Sequence, residues 1–478
     1  MLIDSSEEWD LVVIGAGSAG YVGAVRAAEL GMRVLVLDPG DLGGTCLHHG
    51  CIPTKALLEI AGRLRLGMES DPSGVTFSRP EIDPDRMRAF RTSTVDRLAR
   101  GISSLFKTHG VTYRKARGRL DGPGRVLQEG AVPLSLKAKN ILLATGSRPK
   151  ELPGLPFGEH TVLSSSGLLR QDSYSGRFAI IGGGAIGCEF AEILSAFGCE
   201  TFLFERESRL LPTEDQDLGP ALERELVFHG VSVRTGVSRI GLSLEEETGR
   251  SGCLIEGHSA AGEFSVTVDK VLVAIGRVPV TDGLGLDSVG LSPGAGGSLP
   301  VGARGETGIS GLYAAGDLAG GLLLAHKASR QAVVAVETMA GLSPAPCDPL
   351  RVPRVVYTHP EVVSIGLSRE EAEKSGRSCR EGRFPLLANG RSLTMGQRRG
   401  FVKVLSDPGT GAILGMHGIG PHLSEMMGGI ALAMGVPEGL FRLAETVFPH
   451  PTVSEAIHEA VLAGGGTLHR TPISDGKG

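Results

Sequence analysis

Cys46 and Cys51 are the residues whose type and spacing speak most directly of chemistry, in the run Gly43-Gly44-Thr45-Cys46-Leu47-His48-His49-Gly50-Cys51-Ile52-Pro53-Thr54-Lys55. Two thiols with four residues between them read as a dithiol that cycles between reduced and oxidised forms. The other five of the chain's seven cysteines, Cys188, Cys199, Cys253, Cys347 and Cys379, stand singly, so no disulfide framework is built. In a reducing compartment a paired dithiol is more often catalytic than structural. Thiolates are the reactive species, so the pair needs a field or a base to ionise it. His48 and His49 lie between the thiols. Two imidazoles there either add positive charge that lowers a thiol pKa, or only fill space beside a substrate. They also raise the question of a metal, which the spacing argues against, because structural zinc sites use shorter cysteine spacing and four assembled ligands.

The elements that position this dithiol begin upstream. Leu11-Val12-Val13-Ile14 predicts a strand leading into a turn with Gly15, Gly17 and Gly20, then a small-residue helix, then a second strand closed by Asp38. Glycines allow the turn and close backbone approach, the helix N-terminus faces pyrophosphate, and the acid receives a ribose hydroxyl. The pattern repeats 167 residues later with Gly182, Gly184, Ile186 and Gly187, and a strand that ends at Glu205. Each copy is followed by a strand into a glycine turn, through Thr145-Gly146 after the first and Gly276 after the second. Two dinucleotide sites and a dithiol suggest a relay with a flavin between nicotinamide and disulfide, because thiols do not readily exchange hydride with nicotinamide unaided. Glu205 suits a free ribose 2′-hydroxyl and favours NAD. Arg206 and Arg209 follow it and leave NADP open, since arginines there either hold a phosphate or are solvated surface charges.

Bulk composition is that of an ordinary multidomain protein. The 478 residues carry a formal net charge of -5 and 41% hydrophobic residues, long enough for roughly three domains. No basic block points to nucleic acid or an anionic membrane. No apolar stretch nears the roughly 20 residues that span a bilayer, and the acidic start, with Asp4, Glu7, Glu8 and Asp10, is unlike a signal peptide. A cytoplasmic location is expected. Asp317 ends the short apolar strand Leu312-Tyr313-Ala314-Ala315-Gly316, where it serves either as a turn residue or as a partner for a cofactor's polar chain. From about residue 350 the pattern changes to antiparallel strands and then helices, a third and different domain.

Taken together, these motifs resemble the flavin-dependent pyridine nucleotide-disulfide oxidoreductases. The likeness rests on Gly-Gly-Thr-Cys-Leu-x-x-Gly-Cys-Ile-Pro-x-Lys, the double fingerprint, Ala314-Ala315-Gly316-Asp317, Leu324-Ala325-His326-Lys327-Ala328, Tyr357-Thr358-His359-Pro360-Glu361 and His450-Pro451-Thr452-Val453-Ser454-Glu455. It covers nearly the whole chain, and with Ala388-Asn389-Gly390-Arg391-Ser392-Leu393 it looks most like the lipoamide branch. The resemblance implies an α/β fold with two Rossmann-like dinucleotide-binding domains plus a C-terminal α+β dimerisation domain. Its boundaries are an FAD-binding domain in 1–150, an NAD-binding domain in 151–280, a second FAD-binding or central part in 281–349, a dimerisation domain in 350–465 and a flexible tail in 466–478.

The resemblance also implies roles. Cys46 is the interchange thiol that forms a mixed disulfide with lipoamide, and Cys51 is the flavin-side charge-transfer thiolate. Lys55 lies beside the flavin ring and pairs with Glu189. His450 and Glu455 form an acid–base pair that serves the dithiol of the other subunit, so a homodimer is required. Thr452 to Glu455 also reads as a capping box for the last helix, and His458 as an incidental helix-face histidine. FAD falls to Gly15, Gly17, Gly20, Asp38, Gly44, Thr45, Lys55, Gly118, Thr145, Gly146, Asp317 and Ala325, and NAD to Gly182, Gly184, Ile186, Gly187, Glu205 and Gly276. The activity implied is oxidation of dihydrolipoamide on a lipoyl domain of a 2-oxoacid dehydrogenase complex or the glycine cleavage system, with reduction of NAD+. The rivals are an NAD(P)H-dependent reductase of another disulfide, as in glutathione reductases, a flavoprotein without turnover, and a metal-binding protein.

Overall fold

The computed structural model describes residues 3–465 apart from 69–73, 77, 79, 159, 248–249 and 261, so the 466–478 tail lies outside the described residues. The chain forms two compact units, one made of residues 1–56, 85–150 and 276–349, the other of 57–84, 151–275 and 350–478.

In the first unit the apolar runs make a parallel sheet in the order Thr112–Arg114, Val34–Leu37, Ile3–Ile14, Leu134–Leu143, with Leu312–Ala314 also parallel on the last of these. Arg125–Gln128 and Gly118–Leu120 continue it antiparallel. Val34, Leu35, Val36 and Leu37 are all buried, as continuous apolar strands covered on both faces should be. The Ser18–Glu29 and Ala325–Met339 helices bury Ala24, Ala27, Ala328, Ala332 and Val336 in one core with Leu11, Val13 and Leu142. Their small residues have a purpose: a Cβ on Gly23 would meet Leu142 at 3.0 Å and Ala332 at 3.3 Å.

The second unit repeats the scheme. Ser232–Arg234, Glu200–Phe204, Arg177–Ile181, Lys270–Val273 and Val162–Leu163 form a five-stranded parallel sheet. Arg239–Glu247, Arg250–Ser259 and Gly262–Val268 form an antiparallel three-stranded sheet. The stretch after residue 350 is α+β: a five-stranded antiparallel sheet ordered Arg354–Val356, Glu361–Gly366, Ile413–Gly420, Phe401–Ser406, Arg380–Pro385. Its apolar face shares a core with the Glu455–Ala463 helix through Val402, Val404, Ala456, Ile457 and Ala460. No helix of the described residues is long and apolar enough to cross a membrane.

Candidate functional site

The dithiol sits at a break between two helices. Cys46 lies inside the short Gly44–His49 helix, whereas Cys51 is the first residue of the 18-residue Cys51–Met68 helix, and Gly50 separates them. The break lies in the Gly50 backbone, at φ -148° and ψ -113°, while Thr54 Oγ1 donates to the Gly50 carbonyl at 2.7 Å within the second helix's first turn. Neither thiol is in a disulfide; Cys46 is half-buried and Cys51 exposed. A hydrogen bond to Cys51 and then burial push the Cys46 thiol far up from its ordinary value, with Lys55 opposing. Cys46 and Cys51 exchange a hydrogen bond, and Cys51, opening the long helix, stands in its N-terminal field. His48 turns away from this exchange: its Nε2 lies 2.9 Å from the Leu42 carbonyl oxygen, and His48 and His49 both help hold the Asp41 carboxyl below its usual range, after the larger effect of Lys115.

The two nucleotide modules match atom for atom. Gly15 and Gly182 have φ of 108° and 110°. A Cβ on either would meet the carbonyl oxygen of Ala144 at 2.3 Å or of Ala274 at 2.5 Å. Gly20 and Gly187 pack so tightly that a Cβ would sit 1.8 Å from the carbonyl oxygens of Gly15 and Gly182. Ala16 N–H donates to Asp38 Oδ2 at 2.6 Å and Gly183 N–H to Glu205 Oε2 at 2.6 Å. Each acid thus grips its own glycine turn. Gly17 and Gly184 cap the following 12-residue helices without a side-chain cap, and a Cβ on either meets nothing within 4 Å. Uncapped N–H groups facing open space suit a pyrophosphate. The residues present fit a dinucleotide in both modules.

Other predicted contacts differ in kind. Gly44, at φ 60°, packs on the first turn, a Cβ there meeting Gly17 Cα at 2.7 Å, with Thr45 exposed beside it. Gly118 is buried at the start of the Gly118–Leu120 strand, where a Cβ would meet Leu37 at 2.8 Å, so packing demands this glycine. Gly146 and Gly276 have positive φ and open surroundings, whereas Thr145 Oγ1 donates to the Val280 carbonyl at 2.7 Å. Ala325 opens the Ala325–Met339 helix, which has no side-chain cap, and Ile186 lies half-buried in the first turn of the Ala185–Ala196 helix.

Asp317 is held by residues that spacing did not reveal. Ser147 Oγ donates to Asp317 Oδ2, and Arg277 donates from Nε to Ser147 Oγ at 2.7 Å and from a terminal nitrogen to the Ser147 carbonyl at 2.6 Å. Arginine has no acceptor, so the hydroxyl proton must point at the carboxylate. Lys327 Nζ, buried, donates to the Gly320 carbonyl at 2.5 Å and fixes the same turn. Pairing of Arg277–Pro279 with Ser147–Pro149 brings these groups together, and only that pairing could have signalled Arg277.

Glu455 divides its carboxylate between two tasks. Oε1 lies 2.9 Å from His450 Nδ1, and Oε2 accepts from Thr452 N–H at 2.8 Å. The second is half of a capping box; Ser454, at the N-cap, makes no side-chain capping bond, its Oγ lying 2.7 Å from Thr452 Oγ1. With Nδ1–H donating, the ring presents Nε2 as base. These bonds hold the Glu455 carboxyl below its ordinary value, that from Thr452 most. Buried Asn389 supports the loop: Nδ2 donates to the Thr452 carbonyl at 3.0 Å while Oδ1 accepts from Ser392 N–H at 2.9 Å. His458 bonds the Ala444 carbonyl at 3.0 Å and is structural. Glu189 is buried, and its Oε1 accepts from Tyr357 N–H at 3.0 Å.

Arg206 and Arg209 are both engaged. Arg206 reaches Glu207 at 2.9 Å on the surface, and Arg209 reaches Glu370 at 3.1 Å and the Glu214 carbonyl at 3.4 Å. Glu205 is buried at the strand end with a carboxylate directed at the glycine turn. This favours a ribose without a 2′-phosphate. Among the described residues no group of three or more His, Cys, Asp or Glu is arranged to hold a metal ion.

Known proteins share this plan. Residues 9–332 match the pyridine nucleotide-disulphide oxidoreductase family and 352–461 its dimerisation domain. The dihydrolipoyl dehydrogenase of Bacillus subtilis is 37% identical over 469 residues, covering 96% of this chain and 98% of that protein. That of Thermus scotoductus is 38% identical over 465 residues, covering 97% and 98%. Among solved structures, LpdA of Mycobacterium tuberculosis superposes with a TM-score of 0.85 at 27% identity, covering 95% of this chain and 98% of that one. With its doubled glycine turns, its dithiol and its α+β stretch after residue 350, this chain belongs to the pyridine nucleotide-disulphide oxidoreductase family.

Proposed function

We propose that the chain oxidises dihydrolipoamide to lipoamide and reduces NAD+, working as a homodimer on a lipoyl domain of a 2-oxoacid dehydrogenase complex or the glycine cleavage system. The observation that carries this is the hydrogen-bonded Cys46–Cys51 pair, which lies in the same unit as the first nucleotide module, with Cys51 opening a long helix. Relatives named dihydrolipoyl dehydrogenase over nearly the full length support the substrate.

In the oxidised enzyme the substrate's first thiolate attacks Cys46 Sγ, the Cys46–Cys51 bond breaks, and Cys51 leaves as thiolate. The second substrate thiolate then attacks the mixed disulfide, closing the lipoamide ring and releasing Cys46. His450 Nε2, on the partner chain, takes the substrate's thiol proton, and Glu455 stabilises the resulting imidazolium. Asp317, Thr45, Lys55 and the Ala325 helix N-terminus would hold FAD. Bound FAD supplies the two-electron acceptor between dithiol and nicotinamide. Over one turnover the substrate loses two electrons and two protons, NAD+ gains a hydride and one proton enters solvent. The scattered cysteines favour a reducing, cytoplasmic setting.

Cys46→Ser tests the assignment. It should keep bound flavin and NADH binding yet lose dihydrolipoamide turnover by at least about a thousandfold, as removal of a nucleophile does. Turnover within tenfold of the parent would contradict it.

A further inference from the structure

Five residues line up across the C-terminal antiparallel sheet, one from each strand: Arg354 opposite Ser364, Ser364 opposite His417, His417 opposite Lys403, and Lys403 opposite Arg383. Directly opposed residues share a face, so the row carries Arg354, Lys403 and Arg383 on one side. There they meet the acidic segment Glu214-Asp215-Gln216-Asp217. Arg354 reaches Glu214 at 3.0 Å, Lys403 reaches Asp215 at 2.5 Å and Asp217 at 2.9 Å, and Arg383 reaches Asp217 at 2.9 Å. The Lys403 and Asp215 side chains are 1% and 0% exposed.

The same segment closes on the second nucleotide turn. Leu211, at a left-handed φ of 48°, donates its N–H to the Gly183 carbonyl at 2.9 Å, and Glu214 N–H donates back to the Leu211 carbonyl at 2.9 Å. Leu210 packs so closely that a Cβ on Gly183 would meet it at 2.5 Å. Gly183 N–H is already taken by Glu205. Both polar atoms of this glycine are therefore set by residues 205–214, and residues 214–217 are set by the sheet. A buried ammonium between carboxylates is seldom the most stabilising choice, since an apolar side chain avoids the desolvation. What such a pair does supply is a fixed position.

We propose that Lys403 is a positioning residue for the NAD site: from the C-terminal domain it anchors Asp215 and Asp217, and through Leu211 it sets the Gly183 turn that receives the dinucleotide. This rests on reading the second module as the NAD site. The test is anaerobic titration of NADH onto the flavin-loaded enzyme, with stopped-flow reduction by dihydrolipoamide alongside. Lys403→Met should bind NADH about fivefold or more weakly, a change of roughly one hydrogen bond, while the rate of reduction by dihydrolipoamide stays within twofold. Glu370→Gln, which loosens only the Arg209 end, should show a smaller loss of the same kind and decides the matter if Lys403→Met does not fold. NADH binding unchanged in the variant that folds, beside weakened binding in Glu205→Ala, overturns the proposal alone. Unchanged binding in Glu205→Ala as well overturns the assignment of the NAD site, and the proposal with it. Equal losses in both half-reactions mean a merely structural role and also overturn it.

Discussion

At the residue scale, chemistry and backbone geometry depend on a few atoms each. The Cys46 thiol is pushed up by its bond to Cys51 and then by burial, with Lys55 opposing. Within the second turn, Gly187 has no room for a side chain, because a Cβ would stand 1.8 Å from the Gly182 carbonyl oxygen. Gly187→Ala must therefore shift the turn or the helix, a loss on the order of 1–3 kcal/mol for overpacking. Since the damage falls in one module, NADH binding should fall sharply while FAD content stays at parent level. Equal loss of both dinucleotides would contradict the independence of the modules. These glycines were legible in the sequence because turn, helix and acid lie within 24 residues. Arg277 was not: Ser147, 130 residues away, is brought to it by strand pairing.

At the element scale, the Leu218–Phe228 helix ends at His229, whose ring is pushed down to about 4 by burial first and then by Arg65, Arg399 and His359. The unfolded chain binds that proton near pH 6.5. Its contribution to stability is thus fully present above about 6.5 and is lost as pH falls towards 4. Thermal unfolding from pH 7.5 to 4.5 should show a falling melting temperature, with a shallower fall in His229→Gln. An identical slope in that variant would remove His229 from the account. Strand and helix types followed from local apolar runs, as in Val34–Leu37 and Phe401–Ser406. The helix break at Gly50 was hidden, because it lies in the backbone angles of that glycine, φ -148° and ψ -113°, which composition does not announce.

At the scale of the whole molecule, the domain after residue 350 leaves Leu387 61% exposed, Leu432 70% and Val447 93%. Large exposed apolar groups on this domain suit burial against a second copy. Co-expressed Cys46→Ser and His450→Gln chains should recover activity in the mixed dimer, where one of the two sites draws Cys46 and His450 from intact chains, although each variant alone is inactive. No recovery would place base and dithiol in one chain. The doubled module was legible as a 167-residue repeat, but the Lys403–Asp215 contact spans 188 residues and emerges only when the sheet forms. The central claim is electron flow from a lipoyl dithiol through Cys46 and Cys51 to NAD+. Anaerobic stopped-flow spectroscopy of the flavin-loaded enzyme tests it most directly, mixing dihydrolipoamide and NAD+ in one arm and glutathione disulfide and NADPH in the other. A thiolate–flavin charge-transfer band followed by NADH in the first arm alone is the predicted result; no band and no NADH there, with turnover in the second, would contradict it.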